Sequence, residues 1–226
     1  MSGHMAGWLA QVMATDSPAL PTLGTMQVWL HLGWSVVLAW LGVWLMGRMP
    51  VQWARTKQVQ WLVGLCLAAW AWVPGPTGVA YWLGLAFQAP SISGVLLCAG
   101  LLGTRFRAVH SSQPTLWLVC LGVLLGWALL LDSFAVLPMQ LYAWGFSPVA
   151  LFLLVVIALL PWVAAGRIAK PSLLGVYSVV PGAALVFVVW RLPTGNVWDA
   201  VLDPWVWLVL QVWLLKRGWL HYKNNS

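Results

Sequence analysis

Gln88, Pro90, Ser91 and Ser93 form the densest polar cluster inside any apolar segment of this chain, within Tyr81–Gly103, YWLGLAFQAPSISGVLLCAGLLG. Those 23 residues carry no charge, so as a helix they would cross a bilayer. Pro90 has no N–H and must break the helical ladder, freeing the carbonyl of Ala86 four residues back. Helical spacing puts Gln88 and Ser91 on one face and Ser93 on another. An amide, two hydroxyls and a freed carbonyl could bind a polar ligand or pass a neutral solute. The same residue types, with Ala89 and Gly94, also serve close helix packing, in which Gln bonds a neighbouring helix.

His31 is the one histidine within an apolar segment, and Trp29 and Trp34 flank it. An imidazole there could serve as axial ligand to a haem or pigment. A bis-histidine haem would need a second such ligand, and His4, His110 and His221 fall outside the apolar segments. A hydrogen bond across the outer half of a helix bundle is the simpler role for His31. Gln211 is the remaining amide deep in an apolar segment, and Gln88 or His31 is its expected partner.

A third constellation is Asp132, Asp199 and Asp203 with Arg191 and Asn196, all on the outer face at or beyond the ends of apolar segments. Carboxylates beside one guanidinium could serve a lipid-modifying enzyme at the periplasmic face. Aspartates at helix starts are also ordinary caps, and Asp203-Pro204 has that form.

No Asp, Glu, Lys or Arg lies near the centre of an apolar segment. Proton-coupled carriers, retinal Schiff bases and voltage sensors each need such a charge. The chain holds no G-x-S-x-G elbow, H-E-x-x-H pair or Walker loop, so hydrolytic, metalloprotease and nucleotide-driven chemistry lack their residues. Cys66, Cys98 and Cys120 have no paired spacing and support neither a disulfide framework nor a zinc site. No metal or cofactor is assigned.

The elements that carry these residues follow from composition. Hydrophobic residues make up 62% of the chain and charged residues 7%, too few charges to cover a soluble core. The reading is an all-α integral membrane protein with seven transmembrane helices, at about 27–47, 58–73, 81–103, 115–131, 149–166, 172–190 and 203–220. Pro74-Gly75-Pro76 stops the second; Ser147-Pro148 and Asp203-Pro204 offer cap-plus-proline starts. Residues 1–26 form an N-terminal segment in which Trp8, Leu9, Val12 and Met13 share a face that suits an interfacial helix. Lacking Lys, Arg and a long apolar run, that segment is not expected to be a cleaved signal. Residues 27–220 form the membrane domain and 221–226 a cytoplasmic tail.

Charge distribution orients the chain. Arg48, Arg55, Lys57, Arg105, Arg107, Arg167, Lys170, Lys216, Arg217 and Lys223 fall on one side of a seven-span threading; Asp16, Asp132, Asp199, Asp203 and Arg191 fall on the other. That places the N-terminus outside and the C-terminus in the cytoplasm of a bacterial-type inner membrane. The formal charge of +7 is thus a topology signal and not a nucleic-acid footprint. SFAVLPMQLYAWGF, 133–146, is too apolar for an ordinary loop and too short to span, so it should lie on or re-enter the outer surface, as should 192–202.

Twenty tryptophans exceed what two interfacial belts need. Trp34, Trp40, Trp44, Trp70, Trp127 and Trp213 fall deeper, where each indole N–H needs an acceptor. Tiny loops, abundant Trp and small residues, and no intramembrane charge give the leading expectation. It is a non-catalytic accessory or assembly subunit, contacting the lipid bilayer and a membrane-protein partner. A channel or carrier for a neutral or weakly polar solute is the alternative that uses Gln88–Ser93.

Overall fold

Thr22 opens the first helix: its Oγ1 accepts the Thr25 N–H at 3.2 Å, a side-chain cap on an otherwise orphaned donor. The computed structural model describes residues 18–106, 116–138, 140–165 and 178–225, and all regular structure among them is helical. The helices are α1 (Leu23–Arg48), α2 (Lys57–Ala71), α3 (Val79–Phe87), α4 (Ile92–Phe106) and α5 (Leu116–Ser133). They continue with α6 (Leu141–Trp144), α7 (Pro148–Ala165), α8 (Val179–Trp190), α9 (Val197–Val201) and α10 (Pro204–Asn225). Both cap-plus-proline starts form. The Ala150 N–H donates to Ser147 Oγ at 3.2 Å, and the Val206 N–H donates to Asp203 Oδ1 at 2.7 Å.

The apolar segments become helices within a few residues of the expected bounds, except that the expected start of the sixth at 172 lies outside the described residues, and with two differences. Tyr81–Gly103 is not one kinked helix, because α3 ends at Phe87 and α4 begins at Ile92. The last helix runs on through the expected tail to Asn225. Within 133–146 a single helical turn forms, and within 192–202 the five residues of α9. The interfacial helix expected around Trp8, and the stretches holding Arg107, Arg167, Lys170, His4 and His110, lie outside the described residues.

Small residues let the helices approach closely. At Gly42 a Cβ would come within 2.6 Å of Leu67 Cδ1, and at Gly64 within 3.2 Å of Val43 Cγ2, which fixes α1 against α2. At Gly126 on α5 a Cβ would lie 2.2 Å from Trp207 Cδ1, so the indole of α10 occupies that notch. The Trp207 Nε1–H donates to the Val123 carbonyl at 3.1 Å. α1 also packs on α4, and α4 on α8, around a core that includes Trp29, Ile92, Val95, Ala183, Phe187 and Val197.

One end of the bundle gathers three segments. Ala19 and Leu20 abut Gly195, and the Val197 N–H donates to the Gly145 carbonyl at 2.9 Å. The turn joining α1 to α2 lies at the opposite end of α1. Two helices, Leu23–Arg48 and Leu116–Ser133, are long and apolar enough to cross a membrane. Ile92–Gly103, Pro148–Leu160 and Val179–Trp190 are shorter apolar helices. Large apolar side chains such as Leu124, Phe152 and Leu185 point outward from them, as does Leu85 from α3.

Candidate functional site

The interruption between α3 and α4 is where the polar cluster sits, and it does not have the geometry of a helix face. Gln88 adopts φ 62°, ψ −159°, a region that glycine occupies readily and other residues rarely. This residue ends α3, its N–H donating to the Gly84 carbonyl at 2.9 Å. The reversal separates the two side chains expected to share a face: Gln88 is exposed, whereas Ser91 is fully buried.

Four non-helical residues inside an apolar bundle leave backbone groups that need partners. Two indoles of α1 supply donors. Trp29 Nε1–H donates to the Pro90 carbonyl at 3.0 Å and Trp34 Nε1–H to the Gln88 carbonyl at 2.9 Å. The carbonyls held across the helix boundary are thus those of Gln88 and Pro90, where the sequence had pointed to Ala86. Gly33, one position before Trp34, has no room for a side chain, since a Cβ there would lie 2.6 Å from Pro90 Cγ.

The start of α4 is held from the opposite side. The Ser91 N–H donates to Asp203 Oδ2 at 2.9 Å, while Ser91 Oγ accepts the Gly94 N–H at 3.0 Å. Ser93 Oγ donates to the Val201 carbonyl. Asp203 therefore caps two helices at once, α4 through Oδ2 and α10 through Oδ1. Its charge faces two positive helix ends.

The chain matches no protein-family model, no curated protein and no solved structure.

His31 is remote from this arrangement in its bonding. Its Nδ1 is paired with the Gln27 carbonyl one turn back at 2.8 Å, and its ring stacks on Trp72 at 5.6 Å between centroids. The expected bond across the bundle is replaced by one within α1, and neither His31 nor Gln88 pairs with Gln211. Among the described residues, no group of three or more His, Cys, Asp or Glu side chains could hold a metal ion.

Four of the five residues considered for outer-face chemistry are divided between two local networks. Asp203 belongs to the helix interruption. Asp132 Oδ2 accepts the Tyr142 N–H at 2.7 Å, and Asp199 Oδ2 accepts both the Tyr142 hydroxyl at 2.7 Å and the Thr194 hydroxyl at 2.5 Å. Asn196 is fully buried, its amide donating to the Tyr142 carbonyl at 2.9 Å and its Oδ1 capping α9 at Trp198. Burial, followed by the Asp199 carboxylate, pushes the Tyr142 hydroxyl well above the usual tyrosine range. Arg191 lies over the Phe187 ring at 5.3 Å and joins neither network.

Sequence reasoning missed three members of the site. Trp29 was visible only as an aromatic neighbour of His31, Trp34 also as a deep indole in need of an acceptor, and Asp203 as the cap of its own helix and a member of the outer-face carboxylate set; none was placed at Gln88–Ser93. The signal available was the accounting itself: a proline inside an apolar helix needs donors for the carbonyls it frees, and indole is the donor this chain has in excess. Chemically, the bound hydroxyls and carbonyls serve to hold the interruption open. The Gln88 carboxamide remains, a neutral group that donates and accepts without titrating.

Proposed function

We propose that this chain is a non-catalytic multi-pass protein of a bacterial-type inner membrane that works by packing against a membrane-protein partner. Seven crossings would be made by α1, α2, the α3–α4 pair, α5, α7, α8 and α10, with the N-terminus outside. The outward-facing apolar side chains support immersion in lipid. Collection of the segments bearing Asp132, Asp199 and Asp203 at one end, away from the Arg48–Lys57 turn, supports the orientation.

Gln88 carries the packing reading. Trp34, which holds its carbonyl, lies eleven residues into α1, roughly 16 Å along the axis and so well inside a bilayer. The side chain is exposed at that depth, beside the outward-facing rings of Phe87 and Trp205, which meet edge to face at 5.1 Å between centroids. An amide left unpaired in hydrocarbon costs about 1–3 kcal/mol, and a polar group on a partner helix recovers about 0.6–2 kcal/mol of interaction. Ser91 and Ser93, by contrast, spend their groups inside the fold, which weighs against a solute path through them.

Purification from native membranes in mild detergent tests this reading. The expected result is an assembly larger than the single chain, which Gln88→Leu weakens while leaving the monomer folded. A strictly solitary monomer would remove the proposal.

A further inference from the structure

The turn between α1 and α2 is more ordered than a short loop requires. Arg55 Nε–H donates to the Met49 carbonyl at 2.8 Å, closing the turn across its base. The Gln60 amide, itself buried, donates to the Arg55 carbonyl at 3.1 Å, and Ala54 is wholly buried beneath it. Thr56 Oγ1 donates to the Trp53 carbonyl at 2.8 Å. These bonds fix a platform on which Arg48, Arg55 and Lys57 are all exposed. The Arg48 guanidinium lies 4.2 Å over the Trp44 ring. Trp53, 61% exposed, stands among them with Met49 and Val51.

Among the described residues, this cationic surface has no carboxylate partner. The chain has four acidic residues, Asp16, Asp132, Asp199 and Asp203, and none lies between Arg48 and Lys57. The three described aspartates are engaged with Tyr142, Thr194, Ser91 and Val206. Depth also fits a membrane surface. From Leu23, where α1 begins, to Arg48 is one continuous helix of 26 residues. That is roughly 38 Å, one hydrocarbon thickness with part of the headgroup region on each side.

We infer that the α1–α2 turn is a binding surface for anionic phospholipid headgroups, with Arg48, Arg55 and Lys57 meeting the phosphate charge and Trp53 lying in the interface. Guanidinium groups suit phosphate oxygens by geometry as well as charge, and an indole suits the headgroup level. Fixing the turn in advance lowers the entropy lost when a lipid binds. The inference rests on the membrane reading above.

The test uses the full chain with Cys66, Cys98 and Cys120 replaced by Ser and a fluorophore on Val51→Cys. The protein is reconstituted into phosphatidylcholine vesicles that contain spin-labelled phosphatidylglycerol or spin-labelled phosphatidylcholine as quencher. Quenching by phosphatidylglycerol should be severalfold stronger, fall as salt is raised, and survive inorganic phosphate added at matched ionic strength. Replacing Arg48, Arg55 and Lys57 together by Gln should bring the two lipids level, and Arg48→Lys with Arg55→Lys should retain most of the preference. Equal quenching of the original protein, or a preference unchanged in the Gln variant, overturns the inference. Flotation with phosphatidylcholine vesicles after an alkaline wash reports membrane insertion separately: failure to float removes the membrane reading, whereas flotation without lipid preference removes only the headgroup site.

Discussion

Asp203 and Ser91, 112 residues apart in the chain, are joined by a 2.9 Å hydrogen bond from the Ser91 backbone N–H to the Asp203 carboxylate. One side chain thereby sets the start of α4 and the start of α10 in fixed relation. Replacing Asp203 by Ala removes the acceptors for both N–H groups. A lost cap costs about 1 kcal/mol and a lost bond to a charged acceptor about 1.5–3 kcal/mol, so the variant should be less stable by about 2–4 kcal/mol. Thermal unfolding in detergent measures this, with Asp203→Asn, which keeps one acceptor oxygen, expected between the two. An Ala variant as stable as the parent would mean that the link contributes nothing.

Gly33 and Gly100 give opposite expectations for one substitution on neighbouring helices. A Cβ at Gly33 would meet Pro90 Cγ at 2.6 Å, whereas one at Gly100 meets nothing within 4 Å. Gly33→Ala should destabilise by about 1–3 kcal/mol through overpacking, and Gly100→Ala, inside α4 with open space around it, should raise the melting temperature slightly, by the equivalent of up to about 1 kcal/mol.

Backbone conformation at Gln88 gives a third prediction. Its φ of 62° with ψ −159° costs a non-glycine residue about 1–3 kcal/mol. Gln88→Gly should therefore melt higher than the parent in detergent, while Gln88→Ala, which keeps the strain, should not. Both variants should lose partner assembly, because neither has the amide. Stability and association moving in opposite directions in the Gly variant would separate a strained docking residue from an ordinary packing one.

Alkaline pH should loosen the end of the bundle around Tyr142. Burial and the Asp199 carboxylate hold its proton more tightly in the folded chain than in the unfolded one, where tyrosine titrates near pH 10. The folded value is the raised one, so the Tyr142–Asp199 bond contributes fully below about pH 10 and is lost as pH rises through the folded value. Melting curves between pH 8 and 11, as an order-of-magnitude window about the unfolded value, should fall less steeply for Tyr142→Phe than for the parent. Parallel curves would rule out this linkage.

Threading is tested by single cysteines in a background without the native thiols. Val136, 64% exposed in the segment after α5, should react as Cys with an impermeant thiol reagent from outside intact cells. Val51→Cys, in the α1–α2 turn, should react only after permeabilisation. Asn196 is unsuitable as a reporter because it is fully buried and bonded on both sides of its amide. The reverse labelling pattern would invert the proposed topology.

Local chemistry determined what the sequence alone could show. Apolar runs, Pro90, and the Ser147-Pro148 and Asp203-Pro204 starts each act through neighbours within four residues, so helix existence, approximate ends and the interruption were legible. The expectation that deep indoles need acceptors was legible too, and Trp34 and Trp70 find them on the carbonyls of Gln88 and Thr77. Which carbonyls, and which helices, only the tertiary structure decided. Helices apolar on nearly every side carry no periodic stripe to say which face turns inward. The rotation that brings Trp29 and Trp34 to the freed carbonyls depends instead on Gly33 admitting Pro90. The same holds at the helix break. Regular spacing put Gln88 beside Ser91, but one residue at positive φ turned the amide out and the serine in. Asp203, legible as the cap of α10 and as an outer-face carboxylate, became the anchor of α4 because the fold brought a backbone N–H from 112 residues away to its second oxygen.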